Sequence, residues 1–463
     1  MQPQSLDRSR GGPRPPPAGR CAGPRLWLAD AVGPETIASV VPLRRAGRDG
    51  GGRRSGLAAH AAAAGELAVT LLRLGCIVLA VGGGLAGRVD EPSTLPAAGE
   101  PSPAAPDILL VYYCFDANGP RDWTPERLKH CLGDYRARGT PDERANDVLF
   151  DTYLWMYRKS SRGHLFETSA NATPTTRVDW EECLDRLFAP GKQLHALEAA
   201  AEELGAKLGR PVRPWVILTL PYPDVRVAAW NEAGAEPQFD FRTSDEPRLA
   251  AVRWYADAAL ARWQGAGFKR LRLLGFYWFN EGHRNLRAAE ATVNAELLTD
   301  LSLIRQVAAH VHTLRSDGRR LTLSWIPYSP YGGERIGVIR ELMQAPAAER
   351  IDYLMIQPNY FFARWKKERP ELVSIVRNAA SVGAGVEVEF DEALVKDEAA
   401  RQRLRDYLDV IPAEHPSWRT VPIGYYQGLR SVERMATTPE LAPLYEALYD
   451  FVRRHRAADN ASN

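Results

Sequence analysis

Eight short β-rich runs alternate with amphipathic helical stretches from residue 107 onward. The runs are apolar through most of their length, which is typical of strands buried on both faces of a parallel sheet. Strict alternation of strand and helix predicts an α/β fold, and eight units favour a closed (β/α)8 TIM barrel over an open doubly wound sheet. The predicted strands span 108–116, 148–157, 215–224, 271–281, 321–331, 353–362, 385–392 and 421–428.

Polar side chains recur where these predicted strands end. Active sites in a TIM barrel lie at the C-terminal ends of the strands, so these residues are the candidate site. They are Asp116, Asp224, Asn280, Glu281, Tyr328, Gln357, Asn359, Glu389, Asp391 and Gln427.

The fourth run, FYWFNEG, places an amide and a carboxylate directly after four aromatic residues. Desolvating a lone carboxylate is expensive, so Glu281 must be paired, solvated in a cleft or chemically active. The seventh run, VEVEFDE, alternates apolar residues with Glu387, Glu389 and Asp391. Because strand side chains alternate between faces, we expect these acids to point into the barrel. The alternative of a solvated edge strand does not fit a closed barrel.

Strands four and seven nearly face each other across an eight-stranded barrel. Cleavage of a glycosidic bond generally requires two carboxyl groups, one to protonate the leaving oxygen and one to attack carbon or activate water. The placement of Asn280-Glu281 and Glu389 resembles a large clan of retaining (β/α)8 glycosidases. That resemblance implies that Glu281 is the acid/base, Glu389 the nucleophile, and Asn280 a ligand of the sugar hydroxyl beside the reacting carbon. Glu387 lies ~7 Å deeper on the same strand, so we select Glu389.

Whole phrases of the chain also resemble a family of bacterial secreted proteins known as a domain of unknown function. The phrases are FDTYLWM, LGFYWFNEG, IQPNYFF, GVEVEFDEA and YYQG, and the resemblance runs from about Asp107 to Arg454. It implies a glycosidase-like barrel acting in a carbohydrate context. Aromatic rings at strand ends fit this context because flat rings stack on sugar faces. Tyr328 and Tyr425 are the preferred candidates.

The residues before the barrel predict a different organisation. Residues 1–65 are rich in Pro, Gly and Arg and are predicted to be disordered. Residues 66–87 form an apolar segment that predicts a signal peptide, with a membrane anchor as the alternative. Residues 88–106 form a Pro-rich linker, the barrel spans 107–456, and 457–463 form a disordered tail. An internal signal suggests that translation starts downstream of residue 1, which mass spectrometry of the native N-terminus would test.

The net charge and the cysteine spacing argue against two classes of function, nucleic-acid binding and zinc binding. A net charge of +2 over 463 residues does not suggest a nucleic-acid partner. Only Cys114, Cys131 and Cys183 follow the linker, without zinc-binding spacing. His283 beside Asp116 or Asp391 is an alternative metal site, but we expect no metal and no cofactor.

The sequence therefore predicts a secreted or envelope-associated, monomeric glycoside hydrolase acting on a poly- or oligosaccharide. The alternative is a non-catalytic barrel that binds carbohydrate or anchors at the cell envelope, because a fold does not determine a function. Predicted substrate-binding residues are Asn280, Asp116, Tyr328, Gln357, Asn359, Glu387, Asp391, Tyr425 and Gln427.

Overall fold

A computed structural model of the protein describes the chain from residue 102 to residue 456, with gaps. The described residues are 102–113, 115–116, 119–133, 148–167, 172–231, 234, 238–281, 300–329, 336–362 and 366–456. The predicted segments 1–65, 66–87 and 457–463, and most of the linker, lie outside these residues. No helix among the described residues is long and apolar enough to cross a membrane.

Eight parallel strands close into a barrel, which confirms the predicted fold class. Each strand pairs with its neighbours in chain order, and β1 closes the ring by pairing with both β2 and β8. The strands are β1 Asp107–Tyr112, β2 Thr152–Met156, β3 Trp215–Leu220, β4 Arg272–Trp278, β5 Thr322–Trp325, β6 Tyr353–Ile356, β7 Gly385–Glu389 and β8 Ile423–Tyr426.

The strands are shorter than the apolar runs that predicted them. Strand β1 ends at Tyr112, so the prediction that it continues to Asp116 was wrong. Phe115–Asp116 instead pairs antiparallel with Gly119–Pro120 in a small ribbon. A second two-stranded ribbon joins Arg315–Ser316 to Arg319–Arg320. Apolar composition continues into the loops above the barrel because those loops are themselves packed.

Ten α-helices among the described residues surround and cover the barrel. Helices α3 and α7 each end at a glycine in the left-handed region, whose N–H donates to carbonyl groups of the last turn. The helices are α1 Pro125–Leu132, α2 Arg177–Leu187, α3 Gln193–Leu208, α4 Asp245–Ala266, α5 Asp300–Val311, α6 Ile336–Gln344, α7 Arg369–Val382, α8 Glu398–Glu414, α9 Ser431–Thr437 and α10 Ala442–Arg456.

Strand β7 alternates between the two sides of the barrel wall. Val388 lies beside Tyr425 of β8, and the Tyr425 ring packs against Phe451 of α10. Glu387 lies beside Gly424, where an added Cβ would contact the Glu387 side chain. The apolar residues of β7 therefore face the helices, and Glu387 and Glu389 face the barrel interior.

A buried ionic cluster fastens the last helix to the start of the first strand. The Asp107 carboxylate accepts hydrogen bonds from Tyr425 Oη at 2.7 Å, His455 Nδ1 at 2.9 Å and Arg456 Nε at 2.9 Å. Burial alone would raise the pKa of Asp107, but the charges and hydrogen bonds of His455 and Arg456 hold that pKa below its usual value. Tyr425 thus points to the N-terminal end of the barrel, so the structure does not bring it to the predicted sugar site.

Replacing Asp107 by Ala is expected to destabilise the fold by about 3–5 kcal/mol, because it leaves the buried His455 without its carboxylate partner. Chemical denaturation at pH 7 measures the change. The pKa of Asp107 is lowered by folding, so its contribution is present above the unfolded pKa and is lost as the pH falls through the folded pKa. A free energy of unfolding that is unchanged at pH 7 would contradict the role of this cluster.

Candidate active site

Three glutamates meet at the C-terminal half of the barrel interior. Glu281 lies three residues beyond the end of β4, and Glu387 and Glu389 lie on β7. Their negative charges raise one another's pKa: Glu389 acts on Glu281, and both act on Glu387. The two predicted catalytic acids and one predicted substrate-binding acid therefore belong to one electrostatic cluster.

Glu281 is the accessible member of this cluster. Its side chain is half-buried and accepts a hydrogen bond from the hydroxyl of Tyr277, which lies four residues earlier in β4. Burial raises the pKa of Glu281 to about 8, with further contributions from the charges of Glu167 and Glu389, against the opposing effects of Tyr277 and Arg158. Glu281 therefore carries a proton at neutral pH, as a general acid must.

Glu389 is held by surrounding groups on both of its carboxylate oxygens. Oε1 accepts from the backbone N–H of Asn359 at 2.8 Å, and Oε2 accepts from Tyr407 Oη at 2.5 Å and from the N–H of Phe361 at 3.4 Å. Burial raises the pKa of Glu389 to about 7, while these donors and the nearby Lys367 ammonium lower it. Glu389 is thus the acid of the cluster that is best stabilised as an anion, but it has no exposed surface.

Replacing Tyr407 by Phe should raise the pKa of Glu389, because a hydrogen bond to the charged carboxylate is lost. Such a bond contributes about 1.5–3 kcal/mol, which corresponds to about one to two pKa units. The titration of Glu389 can be followed by NMR of carboxyl-labelled protein. Tyr353→Phe is the matched control, since Tyr353 Oη donates to the Pro103 carbonyl instead. An unchanged titration of Glu389 in Tyr407→Phe would contradict this assignment.

Glu387 is the deepest of the three acids and has no surface in contact with solvent. Neither of its carboxyl oxygens has a hydrogen-bond partner among the described residues. The Gln357 side chain is near enough to lower the pKa of Glu387, although it does not reach hydrogen-bonding geometry. Burial raises that pKa well above its usual value, and the charges of Glu389 and Glu281 raise it further. The surroundings of Glu387 therefore favour its protonated, neutral form.

Backbone pairing continues beyond the strands and joins several predicted site residues at the rim. The N–H of Tyr328 donates to the Glu281 carbonyl at 3.0 Å, and Tyr328 forms an isolated parallel bridge with Gln357. The carbonyl of buried Asn280 accepts from Trp325 Nε1 at 3.1 Å. These contacts place Asn280, Glu281, Tyr328 and Gln357 next to one another at the rim.

Asn359 lies next to this rim in a strained backbone conformation. Its φ of 54° is in the left-handed region, which non-glycine residues rarely adopt. This conformation directs its N–H at Glu389, while its buried side-chain nitrogen has no hydrogen-bond partner among the described residues. Strain of this kind is common at functional sites.

Tyrosine rings border the acid cluster. The rings of Tyr112 and Tyr426 meet edge to face with centroids 5.9 Å apart, and both residues are half-buried. Glu281 and Glu387 both raise the pKa of Tyr112, after the larger effects of burial and Tyr426. Phe362 packs against Tyr426 at 5.9 Å. These rings give the site partly exposed aromatic surface beside Glu281.

Sequence reasoning missed four residues that shape the cluster. Tyr407 lies in helix α8 and Lys367 lies in the segment before α7, so neither residue is at the end of a strand. Arg158 and Glu167 form an ion pair at 2.5 Å beyond β2, and both act on the pKa of Glu281. The sequence alone does not identify these four residues as part of the site. Each reaches the site from a loop or a helix, so its distance in sequence from a strand end is not fixed.

Two further predicted residues have local structural contacts. Asp391 accepts from the N–H of Ala393 at 2.7 Å and begins a short 3₁₀ turn, and burial raises its pKa to about 6. Gln427 is fully buried and donates to the Leu110 carbonyl at 3.2 Å, which joins the end of β8 to β1. The side chain of Asp116 lies outside the described residues.

The alternative metal site predicted around His283 cannot be placed, because His283 lies outside the described residues. Among the described ranges between 102 and 456, no group of three or more His, Cys, Asp or Glu side chains is arranged to hold a metal ion.

The chain belongs to the family described as Domain of unknown function (DUF4855), whose model matches residues 107–452. The matched region coincides with the barrel, and it agrees with the family resemblance of the sequence phrases. A search of curated proteins found no match.

The chain is similar to several solved structures, among them two glycoside hydrolases and a malate synthase. A GH10 endoxylanase retrieved from a sugarcane soil metagenome is 11% identical, covering 75% of this chain and 96% of its own, with a TM-score of 0.38. A glycoside hydrolase family 5 enzyme from Prevotella bryantii B14 is 11% identical, with coverages of 72% and 99% and a TM-score of 0.34. Malate synthase from Haloferax volcanii is 12% identical, with coverages of 74% and 77% and a TM-score of 0.34.

Proposed function

We propose that this protein hydrolyses a glycosidic bond in a poly- or oligosaccharide with two carboxyl groups. The observation that carries the proposal is the protonation pattern of the acid cluster. The pKa of Glu281 is raised to about 8 at a half-buried position, whereas burial raises the pKa of Glu389 only to about 7 because donors on both of its oxygens favour the anion. Carboxyl groups whose surroundings push their pKa values apart can act as acid and base in one reaction.

Glu281 protonates the leaving glycosidic oxygen in this proposal and later removes a proton from water. Glu389 attacks the sugar carbon, forming a glycosyl–enzyme bond as the leaving group departs, and the Glu281-activated water then cleaves that bond with retention. Asn280, Tyr328, Gln357 and Asn359 lie at the same rim and are proposed as ligands of sugar hydroxyl groups. Glu387 lies beneath them as a neutral acid.

A second candidate function is a non-catalytic carbohydrate-binding barrel. It is favoured by the complete burial of Glu389 and by the occupation of both of its carboxylate oxygens. In this alternative Glu389 anchors the segment around Asn359 and helix α8, and the half-buried tyrosines bind sugar without turnover.

A screen with soluble polysaccharides of plant, fungal and bacterial origin distinguishes the two candidates. Release of reducing ends, with the anomeric configuration of the first product followed by NMR, is expected for a retaining hydrolase. Binding to a glycan with no release of reducing ends would overturn the hydrolase proposal in favour of the binding barrel. A first product with inverted configuration would overturn the nucleophilic role of Glu389.

A further inference from the structure

Lys367 is a buried cation beside the turn that holds Glu389. Its side chain is only 7% exposed, and a lysine is rarely buried unless its ammonium group is paired. The preceding residue, Lys366, is exposed and has a φ of 49°, in the left-handed region. Two adjacent lysines therefore have opposite surroundings, and the backbone between them is strained. This arrangement indicates a specific role for the buried one.

One peptide unit separates Lys367 from Glu389. The Lys367 ammonium donates a hydrogen bond to the Pro358 carbonyl. The N–H of the same peptide belongs to Asn359 and donates to Glu389 Oε1 at 2.8 Å. The C=O and N–H of a trans peptide point in opposite directions. A cation and a carboxylate therefore lie at the two ends of one peptide dipole, and each stabilises the orientation that the other requires.

The strained backbone of Asn359 gives this peptide its direction. Its φ of 54° lies in the left-handed region, which a residue with a Cβ enters at a steric cost. Rotating the peptide would relieve that strain, but it would turn the Pro358 carbonyl away from Lys367 and toward the Glu389 carboxylate. The two charges therefore stabilise a backbone conformation that Asn359 alone does not favour.

Helix α8 holds the rest of the turn after β6. Tyr360 Oη donates to Asp406 Oδ2 at 2.6 Å, and Arg403 Nη1 donates to the Phe361 carbonyl at 3.0 Å. These contacts fix the turn from the side opposite the barrel strands. Loss of the Lys367 charge is therefore expected to act on the peptide beside it, while the turn as a whole stays in place.

Several titratable groups face Glu389 from the elements around it. Two of them are carboxyl groups whose negative charges oppose ionisation of Glu389, since like charges raise one another's pKa. Burial raises the pKa of Glu389 as well, whereas the Lys367 ammonium lowers it. The groups are Glu387 on the same strand, Glu281 after β4, Tyr407 of α8, Tyr426 beside it on β8, and Lys367 before α7.

We propose that Lys367 is a positioning residue that keeps Glu389 ionised, and that it acts through the peptide between Pro358 and Asn359. The ammonium group orients the peptide, and the N–H of that peptide stabilises the charged carboxylate. The inference rests on the proposed function, in which Glu389 must be an anion to attack the sugar carbon. Lys367 itself is not a catalytic residue, because it acts on Glu389 and not on the sugar.

NMR titration of carboxyl-labelled protein tests the inference, with the Glu389 signal identified by its absence in Glu389→Gln. Lys367→Met removes the charge and keeps an unbranched side chain, and the pKa of Glu389 should rise by about one unit. The acid limb of the activity profile should move to higher pH by the same amount. Lys366→Met, at the exposed neighbouring position, is the matched control and should titrate as the native protein does.

Asn359→Gly and Asn359→Ala test the route through the peptide. Both variants lack the side-chain amide, but only alanine is strained in the left-handed region. We expect a nearly native titration of Glu389 in the glycine variant and a raised pKa in the alanine variant. Equal titration of Glu389 in the two variants would overturn the route through the peptide.

A native titration of Glu389 in Lys367→Met would overturn the inference, as would equal shifts in Lys367→Met and Lys366→Met. The titration needs no substrate, so its outcome is separate from that of the proposed function. A shifted titration in a protein that hydrolyses no glycan would overturn the proposed function and support the effect of Lys367 on Glu389. Thermal melting shows whether each variant is folded. If Lys367→Met is unfolded, the two Asn359 variants decide the inference.

Discussion

Replacing Glu281 by Gln should reduce glycoside hydrolysis by about 10²–10⁴-fold, the usual contribution of a general acid or base. The amide has the same shape and still accepts the Tyr277 hydroxyl, but it has no proton to give to the leaving oxygen. The loss should be much smaller for aryl glycosides with acidic leaving groups, because such groups depart without protonation. Turnover of both substrate types, measured side by side, separates lost acid catalysis from lost binding.

Glu203→Gln is the matched control for this measurement. Glu203 is an exposed acid on α3 that pairs with Lys207 four residues later, far from the acid cluster in the fold. It should retain native turnover on both substrates. Equal losses for Glu281→Gln on natural and activated substrates would contradict an acid role, and unchanged turnover would remove Glu281 from the mechanism.

Replacing Glu387 by Gln should raise the melting temperature at pH 8 and leave it nearly unchanged at pH 4.5. Folding raises the pKa of Glu387, chiefly through burial. The unfolded chain therefore releases this proton at lower pH than the folded chain does. Stability is present below the unfolded pKa and is lost as the pH rises toward the folded pKa, by about 1.4 kcal/mol per pH unit. A permanently neutral amide avoids that loss.

Differential scanning calorimetry from pH 4.5 to pH 8 measures this effect. The melting temperature responds to the free energy of unfolding by roughly 2–4 °C per kcal/mol in a domain of moderate size, so the gain should grow steadily as the pH rises from 4.5 to 8. Glu203→Gln, at an exposed position, should show no such trend. A melting-temperature difference that is independent of pH, or a loss at pH 8, would contradict a neutral Glu387 in the folded protein.

The barrel could be predicted from the sequence because its signal is repeated. Each of the eight apolar runs overlaps one strand of the barrel. The alternation of acids with apolar residues in β7 indicates that the acids point inward. The strand ends could not be predicted equally well. Residues such as Tyr113 and Phe279 follow the last paired residue of their strands but are still buried. Their apolar character therefore cannot be distinguished from that of strand residues.

The rim residues could be predicted where their position follows from strand order. Glu281, Tyr328 and Gln357 meet because β4, β5 and β6 are consecutive neighbours. Tyr425 illustrates a failure of the same reasoning. It is next to Tyr426 in sequence, but alternation along β8 places it on the helix-facing side of the wall, where its ring packs on Phe451 and its hydroxyl donates to Asp107. An aromatic residue near a strand end predicts a sugar contact only if the alternation of side chains along the strand also points it into the barrel.

The surroundings of Glu389 could not be inferred from the sequence. Its partners come from the left-handed turn at Asn359 and from the middle of α8. Neither contact has a fixed spacing from the strand. These contacts determine whether Glu389 is charged, so the sequence could nominate the acid without predicting its protonation state.

Covalent trapping tests the catalytic pairing of Glu281 and Glu389 most directly. The protein is incubated with an activated 2-deoxy-2-fluoro glycoside of the sugar that the polysaccharide screen releases, and the modified residue is located by peptide mass spectrometry. We expect the glycosyl group on Glu389, with slower trapping in Tyr407→Phe. A glycosyl group on Glu387 or on any other residue would contradict the pairing, as would continued hydrolysis with no trapped species.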